Sequence, residues 1–215
     1  MTDRGWWLLL TGTGRCGTGY MSQVLTSVGV KCSHEGMFMP DAPEVTIEKI
    51  RIRQDNAWWG WEACSSWLAA PYLGRPELAN VTIVHLVREP KKVIDSQMRI
   101  RAFEGNDRRW RDWQLRWLPE LEGKPPLEQA AIFYVKWNRM IEPHADIRWR
   151  IEDSTLTLLD KLGIDWHDKP VYADKTYNSR AGWGPSNVDL DSLPEPLRGE
   201  LRETGERYGY EWPHH

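Results

Sequence analysis

The sequence predicts an α/β fold in which helices cover both faces of a central parallel β-sheet. Short apolar segments that suit buried strands alternate along the 215-residue chain with longer segments of helical periodicity. The strongest apolar segments are rich in leucine or β-branched residues and lack polar alternation, as is typical of strands buried on both faces. In such folds, ligands bind at the carboxyl ends of the strands.

The predicted strands and helices follow in a regular order. Residues 6–11 form an apolar run that predicts the first strand, and the apolar residues from Tyr20 to Val28 predict a helix that Gly29 ends. Further along, the sequence predicts a short strand over 30–32, a helix over 44–54, a strand over 81–87, a helix from Pro90, helices over 107–118 and 126–142, a strand over 147–151, a helix after Ser154 and a short helix over 195–207. No segment has the composition of a linker, so we expect a single domain over residues 1–215.

Composition excludes several classes of protein. Apolar residues make up 40% of the chain and the net charge is −3, which indicates a globular protein without the positive field of a nucleic-acid-binding protein. We find no membrane span and no signal peptide, and therefore expect a cytoplasmic protein. The three cysteines, Cys16, Cys32 and Cys64, lack CxxC spacing. We therefore expect neither a disulfide framework nor a metal site.

A glycine-rich loop over residues 12–19 follows the first strand and opens a helix, which is the context of a phosphate-binding loop. Gly12 and Gly17 have the spacing of an ATP- or GTP-binding loop, but Thr18 stands where that motif requires lysine. A nucleoside triphosphatase is therefore disfavoured.

The same glycines allow a second interpretation. Gly12, Gly14 and Gly17 match the G-x-G-x-x-G pattern of dinucleotide-binding loops, and Glu35 lies where a ribose-binding acid is expected. Against this alternative, an oxidoreductase, the sequence predicts no clear second βαβ unit before residue 81. A nucleotide-binding protein without catalysis is a further alternative.

A third interpretation accounts for two segments at once. Residues 14–20, Gly-Arg-Cys-Gly-Thr-Gly-Tyr, resemble the 5′-phosphosulfate loop of the sulfotransferases that use 3′-phosphoadenosine-5′-phosphosulfate (PAPS). Residues 84–96 resemble the 3′-phosphate motif of that family, in which a strand ends in Arg and a Ser follows eight positions later, here Arg88 and Ser96. Residues 148–153 resemble a later Glu-Asp segment, so the resemblance spans roughly residues 8–165. The chain departs from the family at Gly14 and Cys16, where Pro and Ser are common.

The resemblance implies a three-layer sandwich of the P-loop NTPase-like sulfotransferase type, with PAPS as donor, 3′-phosphoadenosine 5′-phosphate (PAP) as product and no metal. It implies that Arg15 stabilises the leaving phosphosulfate and that Glu35 or His34 is the general base, since different branches of the family use Glu or His. The residues that it places on the nucleotide are Gly14, Arg15, Cys16, Gly17, Thr18, Gly19, Tyr20, Arg88 and Ser96, with Lys175 and Arg180 in a late basic loop.

Tryptophan and cysteine lead to three further expectations. Trp58, Trp59 and Trp61 cluster in a predicted loop, where they are candidates to stack on a small-molecule or glycan acceptor. A row of tryptophans at helical spacing is predicted to pack in the core, namely Trp110, Trp113 and Trp117. The thiol of Cys16, at a helix N-terminus beside Arg15, is expected to have a lowered pKa and to react faster than the other two.

Overall fold

A computed structural model describes residues 6–40, 42–55, 60–104, 108–173 and 188–212 of the chain. Within these ranges five parallel strands form one sheet. They are β1 (Leu8–Gly12), β2 (Cys32–His34), β3 (Ala63–Ser65), β4 (Thr82–Val87) and β5 (Ile147–Arg150). The helices are α1 (Thr18–Ser27), α2 (Pro43–Asp55), α3 (Pro90–Arg99), α4 (Arg108–Trp117), α5 (Pro126–Ile141), α6 (Thr155–Lys161) and α7 (Glu195–Arg207).

The strand order in the sheet is β2-β3-β1-β4-β5. The central strand β1 pairs with β3 and β4, so that Leu9 lies opposite Cys64 on one side and Ile83 on the other. After β1 the chain moves toward β2, whereas after β4 it moves toward β5, in the opposite direction. The carboxyl ends of β1 and β4 therefore flank a topological switch point, where parallel α/β sheets open a crevice for ligands.

Alternation along β1 divides the core into two layers. Leu9 faces a large cluster that includes the aromatic side chains of α4 and α5. Leu8 and Leu10 face the opposite cluster, with apolar residues of α1 and α6. Both faces of the sheet are thus covered, which confirms the predicted three-layer α/β architecture with a central parallel sheet.

The predicted elements agree closely with the structure, apart from two short strands. The strand predicted over 30–32 lies two residues later, at Cys32–His34, and β3 was not predicted. The expectation of no clear second βαβ unit before residue 81 was therefore wrong, since β2, α2 and β3 form such a unit with β2 and β3 paired in parallel. None of the helices in the described ranges is both long and apolar enough to cross a membrane.

Candidate nucleotide-binding and active site

The glycine loop between β1 and α1 has no room for side chains at two of its glycines. A Cβ on Gly12 would lie 2.2 Å from the carbonyl oxygen of Leu86 and 2.4 Å from the Cys16 sulfur. Gly17 caps α1 with a φ of +104°, and a Cβ there would lie 2.7 Å from Cγ1 of Ile151. These two glycines are required by close packing of the loop against β4 and the segment after β5.

Helix α1 presents its amino end at the carboxyl edge of the sheet. The first intrahelical acceptor is the Gly17 carbonyl, which receives the Met21 amide at 3.0 Å. The amides of Thr18, Gly19 and Tyr20 thus precede the regular ladder, as expected of donors that can face an anion. Tyr20 is exposed, and its hydroxyl lies 3.2 Å from Oγ1 of Thr155 at the start of α6.

The thiol of Cys16 differs from its predicted chemistry. The loop turns its side chain inward against Gly12, and the thiol is fully buried. Burial raises the pKa of Cys16 to about 12, and the opposing effect of the nearby Arg88 charge is smaller. The expectation of a lowered pKa was therefore wrong, because desolvation outweighs the effect of the nearby cation.

The two predicted phosphate motifs meet at Arg15. Its Nε donates a hydrogen bond to Ser96 Oγ at 2.9 Å, across a sequence separation of 81 residues. The guanidinium of Arg88 donates to the Arg15 carbonyl oxygen at 3.0 Å. The structure therefore gathers two guanidinium groups, one serine hydroxyl and the amino end of α1 beside the switch point between β1 and β4.

Two buried residues that sequence reasoning missed support this arrangement. Gln97 donates from Nε2 to the Gly14 carbonyl oxygen at 3.1 Å. The hydroxyl of Tyr134 donates to the Arg88 carbonyl oxygen at 2.8 Å. Both lie on helices whose sequence indicates core packing, and only the fold shows that they contact the loops that follow β1 and β4.

His34 and Glu35 reach the same edge of the sheet from β2. His34 Nε2 lies 3.4 Å from Thr18 Oγ1 and 3.3 Å from Glu35 Oε1. The other oxygen of Glu35, Oε2, accepts a hydrogen bond from Ser66 Oγ at 2.7 Å. The predicted proton-accepting residues therefore lie together and adjoin the first turn of α1.

Backbone strain marks the same region. Of the described residues other than glycine, three have positive φ, and two of them are Arg15 at 79° and Glu35 at 59°. A left-handed conformation costs an ordinary residue about 1–2 kcal/mol, so the surrounding structure must impose it. Strain of this kind concentrates at functional sites, which supports the assignment of this edge of the sheet as the site.

The tryptophan that the structure brings to the glycine loop, Trp67, is not among the predicted acceptor-stacking candidates. Trp61 precedes β3 and so lies at the amino edge of the sheet, opposite the loop, while Trp58 and Trp59 lie outside the described residues. Trp67, which follows β3, packs within 4 Å of the position that a Gly14 Cβ would occupy. Its ring contacts the predicted core row, of which Trp113 is buried and Trp110 and Trp117 pack against the core, as expected.

The late basic loop remains a prediction. Lys175 and Arg180 lie outside the described residues. Within the part of the chain that the structure describes, no group of three or more His, Cys, Asp or Glu side chains is arranged to hold a metal ion.

Comparison with known proteins gives the fold a name. No protein-family model matches the chain, and no curated protein matches it. Among solved structures, the sulfotransferase domain from the Synechococcus PCC 7002 olefin synthase is similar with a TM-score of 0.58 at 13% identity, covering 99% of this chain and 98% of that one. The sulfotransferase domain from the curacin biosynthetic pathway gives a TM-score of 0.58 at 17% identity, with 97% and 99% covered. The chain therefore has the fold of sulfotransferase domains.

The strand order also bears on the dinucleotide-binding alternative. In dinucleotide-binding folds β2 lies next to β1, so that an acid after β2 reaches the ribose of a cofactor on the first loop. Here β3 separates β1 from β2, and the Glu35 carboxylate is engaged by Ser66. The oxidoreductase alternative thus gains no support from the fold or from the comparisons.

Proposed function

We propose that the chain is a sulfotransferase that moves a sulfuryl group from PAPS to a hydroxyl or amine of an acceptor. The observation that carries this proposal is the convergence of Arg15, Arg88 and Ser96 beside the amino end of α1. A nucleotide with phosphates at both the 5′ and 3′ positions needs cationic and hydrogen-bonding groups on two loops. The sulfotransferase fold supports the same conclusion.

The residues divide into two groups of contacts with the donor. The amides from Cys16 to Tyr20 and the Thr18 hydroxyl would hold the 5′-phosphosulfate, since the end of a helix stabilises an anion. Arg88 and Ser96 would hold the 3′-phosphate. Arg15 lies between these groups and would stabilise negative charge on the phosphosulfate oxygen as its bond to sulfur breaks.

Sulfuryl transfer resembles phosphoryl transfer in needing position and charge stabilisation more than covalent help from the protein. The acceptor oxygen or nitrogen forms a bond to sulfur as the bond from sulfur to the 5′-phosphate oxygen breaks, and PAP leaves. The acceptor's proton would pass to the His34–Glu35 pair, which adjoins Thr18 of the loop. The acceptor would be a small molecule or a glycan.

The donor is tested by a thermal-shift comparison of PAP, NAD, FAD and ATP. A ligand present at 100 times its Kd should stabilise the protein by about 2.7 kcal/mol, and we expect this from PAP alone. A shift with NAD or FAD but not with PAP would overturn the proposal in favour of an oxidoreductase.

Catalysis is tested by PAP release from PAPS with 2-naphthol, 2-naphthylamine and N-acetylglucosamine as probe acceptors. In Glu35→Gln we expect turnover to fall about 10²–10⁴-fold with PAP affinity retained, because a general base contacts the acceptor and not the nucleotide. His34→Ala should cost less and chiefly change the pH profile. Full turnover in both variants would exclude the pair as the base, and PAP binding without release in any assay would favour a non-catalytic nucleotide-binding protein.

A further inference from the structure

The Ser66 hydroxyl forms two hydrogen bonds beside Glu35. Ser66 directly follows β3 and is fully buried. Its Oγ donates to Glu35 Oε2 at 2.7 Å and accepts from the Leu68 amide at 3.2 Å. Because an amide nitrogen can only donate, the single hydroxyl proton is directed at the carboxylate. Ser66 therefore serves Glu35 as a donor with a fixed orientation.

The end of β3 also holds the backbone of Glu35. The Glu35 amide donates to the Ser65 carbonyl oxygen at 3.2 Å, and its φ is 59°. The side chain and the backbone of Glu35 are thus both hydrogen-bonded to residues at the carboxyl end of β3. A conformation that costs an ordinary residue free energy is maintained here by two hydrogen bonds, one donated to the Ser65 carbonyl oxygen and one accepted from the Ser66 hydroxyl.

The two oxygens of the Glu35 carboxylate consequently have different environments. Oε2 accepts the Ser66 hydrogen bond, whereas Oε1 is buried and lies 3.3 Å from His34 Nε2. The contact is within ion-pair distance but does not have the geometry of a hydrogen bond. Oε1 forms no hydrogen bond with the described residues. Oε1 is therefore the oxygen that can still gain a proton contact through His34.

We propose that Ser66 is a positioning residue for proton transfer, which fixes Oε2 of Glu35 so that Oε1 faces His34 and the pair can take the acceptor's proton. The catalytic part of this inference rests on the proposed sulfuryl transfer. The hydrogen bond itself and its effect on the carboxylate do not, so the two can be tested separately.

The titratable neighbours of the carboxylate come from β2 and the glycine loop. His34 approaches from β2, and Cys16 approaches from the glycine loop, where the Glu35 charge adds to the effect of burial in raising the pKa of the thiol. Arg88, after β4, acts on the same thiol in the opposite sense. Thr18, Ser65 and Ser66 are neutral. Since a substitution at Ser66 leaves these groups unchanged, their effects on the Glu35 carboxylate cancel when the variant is compared with the parent protein.

Loss of the hydroxyl should leave Glu35 Oε2 without its hydrogen-bond donor. In Ser66→Ala we therefore expect the ¹³C chemical shift of the Glu35 carboxyl carbon, measured in the free protein at neutral pH, to change. Ser66→Cys keeps the volume with a weaker donor and should change this chemical shift in the same direction. Because Cys is the milder change, it serves if Ser66→Ala does not fold.

The matched control is Ser65→Ala. Ser65 is equally buried and donates to the Thr18 carbonyl oxygen at 2.8 Å, so its loss also removes one hydrogen bond at the end of β3. It should leave the chemical shift of the Glu35 carboxyl carbon unchanged. An unchanged chemical shift in both Ser66 variants, or an equal change in Ser65→Ala, would overturn the inference whether or not the protein transfers sulfuryl groups.

The catalytic part is tested by single-turnover PAP release with the fastest of the three probe acceptors. The transfer rate should fall about tenfold in Ser66→Ala with PAP affinity unchanged, because the proton acceptor is no longer held in position. In a Glu35→Gln background the same substitution should have no further effect on the rate, because its action passes through the carboxylate. An equal fold-loss in both backgrounds would show a merely structural role. A change in the Glu35 chemical shift without any transfer in the parent protein would refute the proposed function and keep the hydrogen-bond assignment.

Discussion

Gly17→Ala tests whether the glycine loop has the conformation described. The substitution places a Cβ 2.7 Å from Cγ1 and 2.8 Å from Cδ1 of Ile151, at a residue whose φ is +104°. The left-handed backbone contributes about 1–2 kcal/mol and the overpacking about 1–3 kcal/mol, so we expect the free energy of unfolding to fall by about 2–5 kcal/mol. Urea denaturation, at unchanged m-value, measures this loss.

A double-mutant cycle separates the two contributions. Ile151→Ala removes both close atoms and leaves only Cβ, 3.7 Å away, so in that background Gly17→Ala should cost only about 1–2 kcal/mol. Gly199→Ala is the matched control, because nothing lies within 4 Å of its Cβ in helix α7, and it should stabilise by about 0.5–1 kcal/mol. An equal cost of Gly17→Ala in both backgrounds would refute the packing of the loop against Ile151.

Three further predictions follow from buried groups. Tyr134→Phe should weaken PAP binding about fivefold in calorimetry without affecting adenosine 5′-phosphate, because it removes the hydroxyl that holds the Arg88 carbonyl; equal weakening of both nucleotides would contradict this. Cys16 should resist alkylation at pH 8 with or without PAP, since burial raises its pKa to about 12, and rapid labelling of the native protein would contradict this. Burial lowers the pKa of His85 from 6.5 to about 4, so the unfolded chain takes up a proton that the folded chain excludes. The contribution of His85 to the free energy of unfolding should be complete above pH 6.5 and fall by at most about 3 kcal/mol toward pH 4. Urea denaturation of His85→Gln should show a smaller loss over the same pH range.

The regular elements of the fold could be predicted because their patterns are local. The strand β4 is apolar and β-branched, and Pro90 begins α3 as expected at a helix start. The strand β3 could not be predicted in this way. Its three residues, Ala63–Ser65, include none of the β-branched or aromatic types that favour strands, and pairing with β1 and β2 is what makes them a strand.

The candidate site was predictable in its motifs but not in its supporting contacts. Arg15 and Arg88 stand out by their position after strands and Ser96 by its spacing from Arg88, and the structure brings the three together. The inward turn of Cys16 depends on the packing of Gly12 against β4, which no local pattern contains. The role of Ser66 depends in the same way on β3, since the serine reaches Glu35 only because that strand lies beside β2.

The central claim is that the loops after β1 and β4 together hold a nucleotide with a 3′-phosphate. The most direct test compares the Kd of PAP with that of adenosine 5′-phosphate by isothermal titration calorimetry, in the parent protein, in Arg88→Gln and in the control Arg51→Gln. Arg51 lies on α2 and pairs with Glu48, so its loss changes the net charge equally without touching the site.

The account predicts that the parent protein and Arg51→Gln bind PAP more tightly than adenosine 5′-phosphate. Arg88→Gln should lose most of that preference, about 2 kcal/mol or roughly 30-fold, because a charged hydrogen-bond partner of the 3′-phosphate is removed. Equal affinity of the parent protein for the two nucleotides, or an undiminished preference in Arg88→Gln, would contradict it.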